Sequence, residues 1–185
     1  MAGKVPRNAP GRRAALLRGV NVGKAKRISM ADLRSLVEGL GFGEVGTLLN
    51  SGNVVFSAAG TDLALALAIE QALAARTGIQ SRVTVLDAAD LDALVAENPL
   101  PARFQDPARL LAAFTRDAAD HRRLEELAGR DWETEAMALG QRAGFLWCPE
   151  GTLSSPLWAA VNRTGVTSRN WATVLKLQAL VRGSG

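Results

Sequence analysis

Three short segments of this chain combine residue types that hold anions. The first is Arg18-Gly19-Val20-Asn21-Val22-Gly23-Lys24, with Lys26 and Arg27 close behind. An apolar run leads into it and a helix start follows at Ser29. Open backbone N–H groups, cationic side chains and a helix dipole would therefore meet in one loop. The second segment is Asn50-Ser51-Gly52-Asn53, whose amides and hydroxyl can orient a ligand or a water molecule. The third is Thr167-Ser168-Arg169-Asn170-Trp171, which precedes the last helical pattern. There Arg169, Thr173 and Lys176 would share a polar face able to meet phosphate or carboxylate. Each segment also has a plainer reading. Glycines give loops their freedom, Asn and Gly make tight turns, Ser168 would cap a helix, and Trp171 would fill a core.

Better-known signatures are absent. Gly41-Phe42-Gly43-Glu44-Val45-Gly46 fits the dinucleotide spacing, but it ends a helical pattern and enters a strand, the reverse of the required context. The Gly19–Lys24 loop is one residue short of a triphosphate-binding loop, and Ala25 stands where a magnesium-binding hydroxyl is needed. No GxSxG elbow or HExxH pair occurs. The single histidine, His121, sits in a charged helical stretch, and the single cysteine, Cys148, reads as a buried thiol. One Cys and one His exclude a disulfide framework and a Cys- or His-rich metal centre.

The charge is unevenly spread. Of 22 basic residues, eight lie in 1–27 and four in 151–185, and neither stretch holds an acid. The body from 28 to 150 then carries ten basic and all 18 acidic residues, a net of −8, although the chain is +4 overall. Basic ends suit an anionic partner. No stretch of 18 apolar residues reads as a membrane span, and the N-terminus has no apolar core of a secretory signal, so a cytoplasmic location is expected.

The elements that must position these residues follow from periodicity. A strand from Ala14 enters the glycine loop, and Met30, Leu33, Leu36, Val37 and Leu40 recur at helical spacing. Val45–Leu49 and Val54–Ser57 flank the Asn-Ser-Gly-Asn turn as a hairpin. Asp62 opens an alanine-rich helix, and Ser81–Leu86 is the next strand. This βαββαβ order predicts an α+β fold with a ferredoxin-like first part. The expected organisation is a flexible basic tail over 1–12, a ferredoxin-like part over 13–97, a linker over 98–108, and a smaller α+β part over 109–185. In that last part, a strand, a helix, a hairpin, a Ser155-Pro156 helix start and a C-terminal helix partly repeat the first order.

Together, ALLRGVNVGKAKRISMADLRSLVEGLGF, LNSGNVVF and VTSRNWATVLKL resemble the bacterial family called domain of unknown function 1697, from about Ala14 to Leu180. The resemblance implies a two-part α+β fold and brings no reaction or cofactor. It places motif positions at Arg18, Gly19, Asn21, Val22 and Gly23, at Ser51, Gly52 and Asn53, and at Arg169, Asn170 and Trp171. Lys24 stands where the family has a second glycine, and Ser168 and Ala172 replace its threonine and asparagine.

The first expectation is that these residues, with Lys24, meet in a cleft between the two parts that takes a phosphate- or carboxylate-bearing small molecule. Acylphosphatases offer a layout analogy, with Arg18 as the phosphate ligand and Asn50 or Asn53 placing a water, although Arg18 precedes the loop instead of closing it. The second is nucleic-acid binding through the basic ends. The third is a homodimeric interaction module anchored by Trp132, Trp147, Trp158 and Trp171.

Overall fold

A computed structural model of the 185-residue chain describes residues 10–24, 26–100 and 106–183. The elements in order are β1 (Gly11–Leu17), α1 (Met30–Glu38), β2 (Gly43–Leu48), β3 (Asn53–Ala58), α2 (Asp62–Thr77), β4 (Val83–Asp87) and α3 (Ala88–Glu97). They continue with β5 (Leu110–Phe114), α4 (Ala118–Ala128), β6 (Ala136–Leu139), β7 (Ala143–Trp147), α5 (Pro156–Arg163), β8 (Thr167–Asn170) and α6 (Trp171–Arg182). No helix among the described residues is long and apolar enough to cross a membrane. The chain divides into two compact units, Met1–Ala88 with Ala179–Gly185, and Ala89–Gln178.

The first unit holds an antiparallel sheet in the order β2-β3-β1-β4. With α1 and α2 between its strands, this is the ferredoxin-like arrangement. Alternate residues of β1, β3 and β4 (Ala15 and Leu17, Val54 and Phe56, Val83 and Val85) join Leu33, Leu36 and Val37 of α1 and Leu65, Ile69 and Leu73 of α2 in one core. The intervening residues Ala14, Leu16, Val55 and Leu86 are buried as well. Burial on both faces explains why these strands read as continuous apolar runs instead of alternating ones. Ser29 caps α1 by accepting the Asp32 N–H, and Thr61 caps α2 through Ala64.

β1 starts at Gly11, so Arg12, which the expected tail over 1–12 includes, belongs to the strand together with Arg13. Residues 1–9 of that tail, and 101–105 of the expected linker, lie outside the described residues. Arg13 tolerates burial because its guanidinium is fully engaged. It donates to the carbonyls of Ala58 (2.6 Å) and Gly60 (3.2 Å) and pairs with Asp62 at 3.2 Å.

The second unit repeats the first more completely than its sequence suggests. Its antiparallel sheet runs β6-β7-β5-β8, the same strand order, with α4 and α5 in the places of α1 and α2. The strand missing from the sequence reading is β8. Thr167–Asn170 pairs with Leu111–Phe114, so Ser168 lies in a strand and does not cap the last helix. Asn170 caps α6 instead, its Oδ1 accepting from the Thr173 N–H at 3.0 Å and the Thr173 hydroxyl at 2.6 Å. The core on the helical side joins Leu111, Ala113, Leu124, Leu146, Leu157 and Val161, with Trp132 and Trp158 packed against it. Trp171 lies 5.8 Å from the Phe145 ring.

Candidate functional site

The glycine-containing loop of the first unit occupies residues 18–29, between β1 and α1. Its entrance is tied down by backbone pairing. The Leu17 N–H donates to the Gly52 carbonyl at 2.8 Å, the Arg18 N–H donates to the Arg82 carbonyl at 2.9 Å, and the Ser81 hydroxyl donates to the Arg18 carbonyl at 2.9 Å. The β2–β3 turn and the start of β4 therefore flank the loop on either side of β1.

Asn21 closes the loop at its base. Its Oδ1 accepts the Ile28 N–H at 2.9 Å, and its Nδ2 donates to the Ile28 carbonyl at 2.9 Å and to the Asn50 carbonyl at 3.0 Å. The Asn21 N–H also reaches the Lys26 carbonyl at 3.0 Å. One side chain thus pins both the far end of the loop and the tip of the hairpin. Residues Val22, Gly23, Lys24, Lys26 and Arg27 are left exposed beyond that clamp. Asn21 (φ 57°), Lys26 (φ 52°) and Leu49 (φ 57°) all adopt left-handed backbone here, a conformation that side chains other than Asn, Asp and Gly seldom take. A cavity of about 460 Å³ opens at this place, lined by Asn21, Arg27, Ile28, Ser29, Met30 and Asn50. Ser29 turns its hydroxyl to Asp32 at 2.6 Å, so the negative end of that contact already sits on the N-terminus of α1. The loop cations, not the helix dipole, then supply the positive field.

The hairpin residues have different duties. Gly52 is buried at φ 75° against Val20 and Leu17, where a Cβ would collide. Asn53 is fully buried, and its Nδ2 donates to the Leu48 carbonyl and the Ser51 hydroxyl, both at 2.9 Å. Its amide is spent inside the turn, which removes it as the water-placing group of the acylphosphatase analogy. Ser51 and Asn50 are exposed. The sequence offers Asn50 as a turn residue or as a water-placing amide; its contact with Asn21 joins two motif segments and has no local sequence signal.

The third segment belongs to the second unit. Arg169 stands opposite Ala112 in the β5–β8 ladder, with Nη1 donating to the Ser168 carbonyl at 2.8 Å. Burial pushes its guanidinium down to about 10, still charged at neutral pH. Because β8 ends before α6 begins, Arg169 does not share a helix face with Thr173 and Lys176. Thr173 is buried against Asn170, and Lys176 is exposed. His121 is half-buried with Nε2 3.2 Å from the Gly140 carbonyl, and Cys148 is a free, buried thiol.

The model of the protein family of unknown function DUF1697 matches residues 11–145, well over half of the chain. The chain belongs to that family. Among solved structures, this DUF1697 chain is similar to a conserved bacterial protein from Streptococcus pneumoniae, with 24% identity and a TM-score of 0.74. The match covers 94% of this chain and 99% of that one, so both units of the DUF1697 fold recur there. No curated protein matches the chain.

Proposed function

We propose that the chain binds a small anionic molecule, bearing phosphate or carboxylate, at the 18–29 loop of its first unit. The observation that carries this reading is a comparison of the two units. Their topology is the same, yet the strand-to-helix connection takes twelve residues in the first (18–29) and three in the second (115–117). The short connection is tied to its neighbours, with the Thr115 N–H on the Arg142 carbonyl between β6 and β7 at 2.8 Å and the Arg116 N–H on Asp120 of α4 at 2.9 Å. The fold does not require the long one. Long ordered loops on a rigid scaffold are where binding residues concentrate. This loop carries Lys24, Lys26 and Arg27 in the open, and Arg27 also lines the cavity with Ser29 and Asn50.

In this reading Asn21 is a positioning residue that holds the loop against the hairpin, and Gly19 and Gly23 let the chain turn through positive φ. Arg169, Asn170 and Trp171 lie in the second unit, and the proposal does not draw on them. Nucleic-acid binding by base stacking on the first sheet is disfavoured. Phe56 is the one aromatic on its two middle strands, and it is buried in the helix-side core, stacked on Phe42 at 4.9 Å.

Isothermal titration with inorganic phosphate, pyrophosphate and citrate tests the proposal. A triple variant Lys24→Ala, Lys26→Ala, Arg27→Ala should lose about tenfold or more in affinity, since a charge-assisted hydrogen bond contributes about 1.5–3 kcal/mol. Affinities unchanged in the triple variant, or no saturable binding of any of the three anions, would refute it.

A further inference from the structure

Each sheet ends in two edge strands, and an edge strand carries a row of backbone N–H and C=O groups open to further pairing. Three of the four edges in this chain are guarded. β2 breaks its register between Gly43 and Gly46, with Glu44 exposed at φ 47° inside the irregularity. β4 has Val83, Thr84, Val85 and Leu86 buried. β8 is a polar run that includes Arg169. β6 has none of these devices. Its residues Ala136, Met137, Ala138 and Leu139 are uncharged, pair with β7 without a register shift, and are each partly exposed. β6 holds in the second sheet the place that β2 holds in the first. The same edge is therefore blunted in one unit and left open in the other.

The ladder fixes which groups of β6 face outward. The Gly140 N–H donates to the Ala143 carbonyl at 2.8 Å across the Gln141-Arg142 turn. Antiparallel ladders alternate bonded and non-bonded pairs. Ala136 and Ala138 then bond to Trp147 and Phe145, while Met137 and Leu139 direct their N–H and C=O groups away from β7. The far side of β7 agrees with this phase, because the Cys148 N–H donates to the Arg109 carbonyl at 3.0 Å, toward β5. Among the described residues, no hydrogen bond from another segment reaches the backbone of Met137 or Leu139. Their side chains pack against the helix-side core, and those of Ala136 and Ala138 take the opposite face.

We propose that β6 pairs antiparallel with β6 of a second copy of this chain, about a two-fold axis through Ala138. Met137 then stands opposite Leu139 of the second copy and Leu139 opposite its Met137, and the two pairs exchange four backbone hydrogen bonds. A second copy fits this edge better than a foreign strand because the edge complements itself. Its outward groups lie two residues apart, the spacing that a two-fold through the intervening residue requires. Its cross-strand neighbours are apolar throughout, Met137 beside Leu139 on one face and Ala138 beside Ala138 on the other. Charge agrees as well. Asp131, Glu133 and Glu135 precede β6, and Arg142, anchored through Nη1 to Asp90 at 2.9 Å and 32% exposed, follows it. Antiparallel pairing carries the acidic end of each copy toward the basic end of the other. A contact one four-residue strand long belongs with the small interfaces, under about 1,200 Å², that associate weakly and reversibly. This surface is independent of the anion loop, and failure of one leaves the other standing.

Sedimentation velocity of the full-length chain, from about 10 μM to about 1 mM, should show a monomer passing into a dimer and no larger species, since the pairing consumes the edge. Ala138→Lys and Ala138→Glu each set two like charges opposite one another at the axis. Each variant alone should stay monomeric over that range, and an equimolar mixture of the two should dimerise again. Amide hydrogen exchange of the unaltered chain gives a second readout, which decides the matter if either variant fails to fold. The Met137 and Leu139 N–H groups should exchange about fivefold more slowly, or slower still, at the top of the range than at the bottom. A parent chain that stays monomeric throughout overturns the proposal and leaves the edge to an extended segment of another protein. So does a dimer undiminished in both variants, a mixture of folded variants that stays monomeric, or exchange at Met137 and Leu139 that ignores concentration.

Discussion

Gly52 separates the structural from the functional reading of the motif glycines. Its φ of 75° disfavours any side chain, and a Cβ would overlap Val20 Cγ2 and approach Leu17 Cβ at 3.0 Å. Both neighbours are buried, so neither can swing away. Gly52→Ala should therefore cost about 2–4 kcal/mol, combining left-handed strain with overpacking. Gly19 and Gly23 share the positive φ but face open space. Gly23→Ala should cost only about 1–2 kcal/mol, from the backbone alone. Urea midpoints of the two variants check the contrast, and equal losses would show that the Gly52 approach is looser than described. The residue types of the site were legible in the sequence; their directions were not. Asn50 and Asn53 flank the same turn, yet Asn53 points inward to brace it while Asn50 meets Asn21 at the loop base. Nothing in the local pattern distinguishes the two, because the difference arises from which side of the hairpin faces the exit of β1.

At the level of elements, the first βαββαβ order was legible because each boundary carries a strong local signal. Ser29 and Thr61 cap their helices, the Asn-Ser-Gly-Asn turn closes its hairpin, and Gly78 ends α2 in left-handed backbone. β8 was not legible. Thr-Ser-Arg-Asn is a four-residue polar run, and it is a strand because β5 offers it a free edge, a tertiary cause that local propensity does not register. The cap of α6 is accordingly Asn170 and not Ser168. An N-cap needs a side-chain acceptor. Asn170→Ala should destabilise the protein by about 1–2 kcal/mol, whereas Asn170→Asp, which keeps the acceptor, should be close to neutral. Denaturant midpoints decide it, and an Asn170→Ala chain as stable as the parent would return Asn170 to the pool of candidate ligand residues.

For the whole molecule, composition gives the alkaline range an unusual simplicity. The chain has 18 arginines, four lysines, no tyrosine and one cysteine, so few groups titrate between pH 8 and 11. Among the described residues burial shifts Arg169 into this range, and it also shifts Cys148. Burial, with a smaller push from Glu135, raises its thiol from 9.0 to about 11, against the Ser155 hydroxyl, which donates to the sulfur at 3.3 Å and favours the thiolate. The folded pKa lies above the unfolded one, so the folded chain holds the proton longer. That contribution to stability is fully present below pH 9 and is lost as pH rises through 11. Two pH units correspond to about 2–3 kcal/mol. Arg169 acts in the opposite direction above about pH 10, where the folded state would release its proton first. Comparison with Cys148→Ala isolates the thiol, because both chains retain Arg169. The variant starts less stable, since it leaves a cavity beside Ser155, so the informative quantity is the slope of unfolding free energy from pH 8 to 11. The parent should fall more steeply than Cys148→Ala by that amount over the range. Parallel slopes would mean that the thiol ionises as readily in the folded chain as in the unfolded one, and that the second unit opens around β7 far more easily than its packing implies.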